Sequence, residues 1–241
     1  MTAALKDVAA VVLVSRGGAR LARALDSVAW AGERIVLDPT GRLDTEPLPS
    51  DVRCGADPAA ASTPWLLLLE EHETVRSPLV AAVAGAVEAA AAPAYRIAQE
   101  VTAFGTTIRL RGAPVRLARR AGARLRLRAG LTPELATGGG RAPRLAERLI
   151  TDGAPTLAAA VDELDAQATA IAALLHASRV RPRLLHLVVP PLLAAGRVLL
   201  ARGAVAEFRG RWTLAVFGGY RALAAYAKLW EMRREEAARP R

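Results

Sequence analysis

The residues best equipped for chemistry stand together in Glu70-Glu71-His72-Glu73. Three carboxylates and an imidazole in four positions can bind a divalent metal or carry protons. They follow directly on Pro64-Trp65-Leu66-Leu67-Leu68-Leu69, an apolar run without polar alternation. Such a run predicts a strand buried on both faces. In an open α/β sheet, ligands bind beyond the carboxyl ends of the strands, which is where this cluster would stand. The same four residues would equally make a solvated turn ahead of a helix opened by Ser77-Pro78, with Glu73 favouring the helix dipole. A further acid, Asp38, closes the apolar run Ile35-Val36-Leu37. It reads either as a site residue at the sheet edge or as a turn former before Pro39.

Positioning these acids requires a sheet, and the pattern predicts one. Val8–Val14 reads as a buried parallel strand, Ala19–Ala29 as a helix with Leu21, Leu25 and Val28 on one face, and Arg34–Leu37 as a second strand. That is a β-α-β unit with a right-handed crossover. The stretch Arg42–Ser62 reads as a loop with at most a short strand near Val52, and a helix is expected from Ser77 to Ala91. Tyr95–Val101 and Thr106–Leu110 read as strands. Arg116–Arg120 and Arg124–Arg128 alternate arginine with apolar residues, the period of half-exposed strands. Gly138-Gly139-Gly140 lacks the Lys-Ser/Thr of a phosphate-binding loop.

From Thr156 the period becomes helical. Leu157, Val161, Leu164, Ala168, Ile171 and Leu175 form one face, and Asp162, Glu163, Asp165 and Gln167 the other. Prolines 182, 190 and 191 interrupt the next apolar stretch, and a last helix is expected from Trp212 to Glu236. No uncharged apolar run reaches the roughly 18–20 residues that span a bilayer. Apolar residues within Leu184–Leu200, with Arg197, Arg202, Arg209 and Arg211, are instead expected to attach peripherally to an anionic membrane.

The net charge of +10 favours anionic partners. Lys6 and Lys228 are the only lysines, so arginine carries the charge throughout and no single arginine marks a function. The eight arginines of Arg109–Arg128 read as a solvated strand pair, as a diphosphate or phospholipid site, or as a nucleic-acid surface. Aromatics that could interleave with them are scarce, so no nucleic acid is expected. Cys54 is alone, and no convincing secretory signal precedes the first strand, which fits a cytoplasmic protein. One cysteine and three histidines exclude a zinc cluster of the usual kind. His176 and His186, in apolar surroundings, read as packing or interfacial residues.

The order of these pieces resembles glycosyltransferase family 2, in particular its bacterial lipopolysaccharide-core glucosyltransferase-like branch. The resemblance rests on Leu25-Asp26-Ser27-Val28-Ala29-Trp30-Ala31, on Ile35-Val36-Leu37-Asp38, on Trp65–Leu69 followed by Glu70-Glu71-His72-Glu73, and on Tyr226-Ala227-Lys228-Leu229-Trp230-Glu231. It covers roughly residues 8–232. It implies an α/β fold of the GT-A type: a parallel-rich sheet flanked by helices, with a helical C-terminal appendage. Residues 1–150 would form the nucleotide-sugar-binding domain and 151–241 the helical, membrane-associated region. Asp38 would contact the nucleotide, Glu70 and His72 would hold Mn²⁺ or Mg²⁺, Glu73 would be a further acid in reach, and Glu134 would be the catalytic base. The partners implied are a nucleotide sugar and a saccharide or lipid-linked acceptor.

Three departures bear on activity. The loop after Asp38 is Pro39-Thr40-Gly41, the interval from Asp38 to Trp65 is short, and the family's Asp-x-Asp is Glu70-x-His72. A shift of about 1 Å in a catalytic group can cost two orders of magnitude in rate. Weak or absent sugar transfer is therefore the expectation, with a non-catalytic binding or scaffold role as the alternative to an active enzyme.

Overall fold

Leu66 to Leu69 are wholly buried at the centre of the molecule, and that burial organises the sheet. Each such side chain contributes about 1.5–3 kcal/mol when withdrawn from water. The computed structural model describes residues 3–41, 43, 48–55, 57–104, 106–110, 112–128, 130–154, 156–200 and 208–238. Its strands are β1 (Val8–Leu13), β2 (Glu33–Leu37), β3 (Val52–Gly55), β4 (Trp65–Glu70), β5 (Glu73–Thr74), β6 (Ala94–Ala103), β7 (Thr106–Arg109), β8 (Val115–Arg119), β9 (Arg124–Arg128), β10 (Thr132–Ala136) and β11 (Arg144–Asp152). Its helices are α1 (Ala3–Lys6), α2 (Ala19–Ser27), α3 (Ser77–Ala89), α4 (Leu157–Ala177), α5 (Val189–Leu199) and α6 (Phe208–Ala238).

The main sheet runs β3-β2-β1-β4-β8-β6-β11-β5, with β7 paired to β6. The first four strands are mutually parallel. Because β8 is antiparallel to both β4 and β6, and β11 is parallel to β6, strands β6 and β11 also point the same way as β4. The fold is thus mixed α/β, with the buried runs of β2, β1 and β4 side by side as expected. One register position sets the edge: Leu13 lies opposite Leu37 on one side and Glu70 on the other. Asp38 and Glu70 consequently leave the same carboxyl edge, with β1 between them.

The sheet curls. Only Glu71 and His72 separate β4 from β5, yet β5 pairs with β11 at the far end of the strand order. The two-residue link therefore draws the far edge back toward β4, and the inner faces of β4, β8, β6 and β5 look into one lumen. The outer face packs on α1, α2 and α3 through residues such as Leu21, Leu25, Leu79 and Val83. The hairpin of β9 and β10 covers part of the other face through Leu135, beside Leu66 and Leu68.

Helices α4, α5 and α6 pack on one another around Ala168, Ile171, Ala172, Ala194, Ala222 and Leu229. Small residues at these crossings let the axes approach closely. Thr156 caps α4, its hydroxyl accepting from Ala159 N at 3.2 Å. Pro190 stands in the first turn of α5, where its missing N–H is harmless, so the prolines open this helix rather than break it. Strand β11 crosses the expected division near residue 150, and α4 starts a few residues after it.

Two expectations need correction. Leu157 and Val161, assigned to the packing face of α4, are exposed, while Ala160 in the same turns is buried against the cavity. Arg116, assigned to a half-exposed strand, has no exposure at all. The alternation holds in β9, whose arginines face solvent, but the curl turns the corresponding face of β8 inward.

Candidate functional site

Strand β4 delivers Glu70 into the lumen, and β5 returns Glu73 beside it. Arg116 of β8 sits between the two. Its Nη2 donates to Glu70 Oε1 at 2.8 Å and to Glu73 Oε1 at 3.0 Å. Glu73 Oε2 accepts from Glu70 N at 2.8 Å, closing the link. Burial alone would raise the Glu70 pKa. The charges of His72, Arg116 and Arg221, with the Arg116 hydrogen bond, outweigh burial and hold it down to about 2. Burial likewise opposes the Arg116 charge, but Glu73 and Glu70 more than offset it and raise its pKa.

A chain of polar contacts extends from this pair in both directions. Gln99 of β6 donates to Glu73 and accepts from Arg197 Nη2 at 3.1 Å, and Arg197 also donates to Thr132. On the other side Arg221 Nη1 approaches Glu70 Oε2 at 3.7 Å and donates to Gln167 Oε1 at 3.2 Å. Gln167 Nε2 donates to Glu163 Oε1 at 3.1 Å, and Glu163 pairs with Arg20. Arginine only donates and carboxylate only accepts, so these partners fix which end of the Gln167 amide is nitrogen. Gln167 Nε2 lies 3.4 Å from His72 Nδ1, and His72 Nε2 faces Glu70 Oε2 at 3.9 Å.

These side chains border a cavity of about 170 Å³ at the carboxyl ends of β4, β6 and β11, closed over by α4, α5 and α6. Glu70, His72, Gln99, Gln167, Arg197 and Arg221 form its polar end. Val101, Phe104, Leu110, Val198, Leu214 and Phe217 form its apolar walls. Gly153 ends β11 against β6 here. A Cβ at that position would collide with Ala103 Cβ and lie 3.0 Å from Thr102 O, so glycine permits the closure.

The other acids at this edge hold their own backbone. Glu71, one residue beyond β4, accepts from Ser15 N at 3.0 Å, Arg16 N at 3.0 Å and Gly17 N at 2.9 Å, and from the Ser15 hydroxyl. Successive N–H groups converging on an anion make a nest, shaped here by left-handed Gly17 and Gly18. Asp38 accepts from Thr40 N, Gly41 N and Leu43 N at 2.8–3.0 Å and from the Thr40 hydroxyl. Burial raises its pKa and these bonds lower it, with a net lowering. Asp38 stands at the β2 end, outside the cavity wall. Glu134, on β10, accepts from Arg126 Nε at 2.9 Å and Nη2 at 2.6 Å, and its charge acts on Arg116. His176 meets Glu236 at 3.1 Å, and His186 stacks on Tyr226, both away from this cavity.

The donor set does not fit a divalent cation. Glu70 and His72 come to 3.9 Å, but Glu73 is turned to Arg116 and the Glu70 backbone, and an ion between Glu70 and His72 would lie beside two guanidinium groups, Arg116 and Arg221. Among the described residues no group of three or more His, Cys, Asp or Glu side chains is placed to hold a metal. The residues the sequence reading missed are Arg116, Gln99, Thr151, Gln167 and Arg221. A signal existed for one of them: Arg221 is the single charge in the apolar run from Trp212 to Ala227. Comparison of the chain with models of known families gives no match, and comparison with curated proteins gives none.

Proposed function

We propose that this chain is a glycosyltransferase-like protein of cell-envelope polysaccharide or lipopolysaccharide biosynthesis that binds at the cytoplasmic membrane face without metal-dependent sugar transfer. The observation that carries the reading is Arg116, seated between Glu70 and Glu73 with no exposure. In the resembling family the position of Glu70 and His72 serves the cation that stabilises the diphosphate leaving group. Here a permanent guanidinium charge sits between the two carboxylates and offsets one of their two charges from within. The carboxylate assigned as the base is likewise engaged, since Arg126 Nε and Nη2 both donate to Glu134 Oε1.

A second reading, favoured by Arg197 and Arg221 on the cavity wall, is metal-free transfer from a nucleotide sugar to a saccharide or lipid-linked acceptor. Guanidinium groups bind phosphate oxygens bidentately and can replace a metal's charge. Titration with nucleoside diphosphates, with and without Mn²⁺, separates the two, together with donor hydrolysis by the wild type and by Glu70→Ala, His72→Ala and Glu134→Ala. The expected result is no Mn²⁺-dependent binding and no turnover. Robust turnover lost in Glu70→Ala would replace this reading with an active enzyme, and metal-independent binding with turnover would select the second.

A further inference from the structure

The cavity at the carboxyl edge has two chemically distinct ends. At one, Arg197 and Arg221 reach the wall from α5 and α6, and Thr151 of β11 lines the same cavity. Thr151 is buried, and its Oγ1 has no hydrogen-bond partner, a state that costs about 1–3 kcal/mol unless a ligand or water completes it. The guanidinium groups of Arg116, Arg197 and Arg221 gather at this end, with the Glu70 and Glu163 carboxylates on the same wall. Burial first, then the charges of Arg116, Arg221 and Arg128, lower the Arg197 pKa to about 10, and the opposing pull of Glu70 is smaller. An anion placed there would relieve that repulsion.

The other end is apolar. Phe104 and Phe217 pack with ring centroids 5.6 Å apart, and Phe104 is exposed on its far side, so this pair marks the mouth. Phe104 adopts a left-handed backbone, φ 52°, a conformation that an ordinary side chain rarely takes. The volume between the ends holds on the order of ten water-sized groups, so a headgroup and the first carbons of a chain fill it and the rest of a longer chain passes out beside Phe104. A small polar metabolite would leave the apolar walls unused, and a plain hydrocarbon would leave the cationic end unmatched.

We propose that this cavity binds a single-chain anionic amphiphile, with its head on Arg197, Arg221 and Thr151 and its tail along Leu110, Leu214 and Phe217 toward Phe104. The inference stands on the cavity and does not depend on any sugar-transfer reading. Free fatty acids and phosphate-headed lipids share the chemistry.

The test is calorimetric titration of the full chain with dodecyl phosphate below its micellar concentration. Dodecanoate, dodecyl maltoside and inorganic phosphate are run alongside. Dodecyl phosphate should bind one per chain. Inorganic phosphate should bind about a hundredfold more weakly for want of the tail, and the uncharged maltoside about tenfold more weakly for want of the charge. The ratio of dodecanoate to dodecyl phosphate separates the two lipid sources, and either preference keeps the site. Arg221→Gln should weaken binding roughly tenfold and Thr151→Val a few-fold. Ala160→Phe, on the α4 wall, should fill the cavity and abolish binding. If Ala160→Phe keeps the wild-type circular dichroism and still binds dodecyl phosphate normally, the amphiphile lies elsewhere and the proposal fails. Equal affinity for the maltoside or for free phosphate would overturn it as well.

Discussion

Arg116 and Glu70 come from antiparallel neighbours, β8 and β4, and their side chains meet at 2.8 Å on the inner face of the curled sheet. The contact joins a permanent cation to a carboxylate where neither reaches bulk water. Removing one partner of such a pair leaves the other charge uncompensated, at about 3–5 kcal/mol. Arg116→Met should therefore lose stability of that order in urea denaturation, with Glu70 left to Arg221 and Glu73 to the Gln99 amide. Adding Glu70→Gln and Glu73→Gln to Arg116→Met should recover most of the loss. A single Arg116→Met variant as stable as the wild type would mean that the pair is not buried as described.

Acid should act on the same group. The folded-state pKa of Glu70, about 2, lies below its ordinary 4.5, so ionised Glu70 stabilises the fold above about pH 4.5. That contribution, on the order of 3 kcal/mol, is lost as the pH falls from 4.5 toward 2. Glu70→Gln should be less stable than the wild type at neutral pH and should show a flatter decline across that window. Parallel stability curves for the two proteins from pH 5 to pH 2 would refute the assignment.

The legible part of this fold is the part whose pattern allows one reading. Val8–Leu13 and Leu66–Leu69 carry no polar alternation, so they could only be doubly buried strands, and parallel pairing then placed Asp38 and Glu70 at one edge. Arg116 was not legible, because Val115–Arg119 and Arg124–Arg128 have the same alternation and only the curl tells their faces apart. Gln167 sat among Asp162, Glu163 and Asp165 in the helical pattern and read as solvated. It is buried because α6 covers that side of α4 and brings Arg221 to its amide. Strands β10 and β11 carry no clear period, so the sequence does not mark them. β11 keeps Glu147 and Arg148 half-exposed near the edge of the sheet.

Glu71 offers a test of the loop after β1. Its carboxylate gathers the N–H groups of residues 15–17, and without it those donors lose their anion. Glu71→Ala should cost about 2 kcal/mol, and Glu71→Gln less, because an acceptor oxygen remains. The emptied nest should bind an oxyanion, so phosphate should raise the melting temperature of Glu71→Ala more than that of the wild type. A phosphate effect identical in both would show that the nest collapses rather than persists.

The last prediction concerns the outer face of the C-terminal helices. Leu184 is 81% exposed and Leu192 66%, with Leu185, Val188 and Leu193 exposed around them and Trp212, Val216 and Trp230 exposed on α6. An apolar surface of this extent, with no helix among the described residues long and apolar enough to cross a membrane, fits shallow insertion. The expected arginines need correction. Arg197 turns inward to Gln99 and Thr132, Arg211 is half-buried, and Arg202 and the Arg209 side chain lie outside the described residues. The charge beside the apolar face comes instead from Arg179, Arg181 and Arg183, all exposed just ahead of Leu184. Each arginine near an anionic surface adds about 1 kcal/mol, so binding should fall steeply with salt. The full chain should sediment with anionic vesicles and far less with neutral ones, and Leu185→Glu with Leu192→Glu should release it without changing the helix content. Negligible sedimentation of the wild type with anionic vesicles would remove the membrane. A self-association abolished by the same two substitutions would then assign this face to a second copy of the chain.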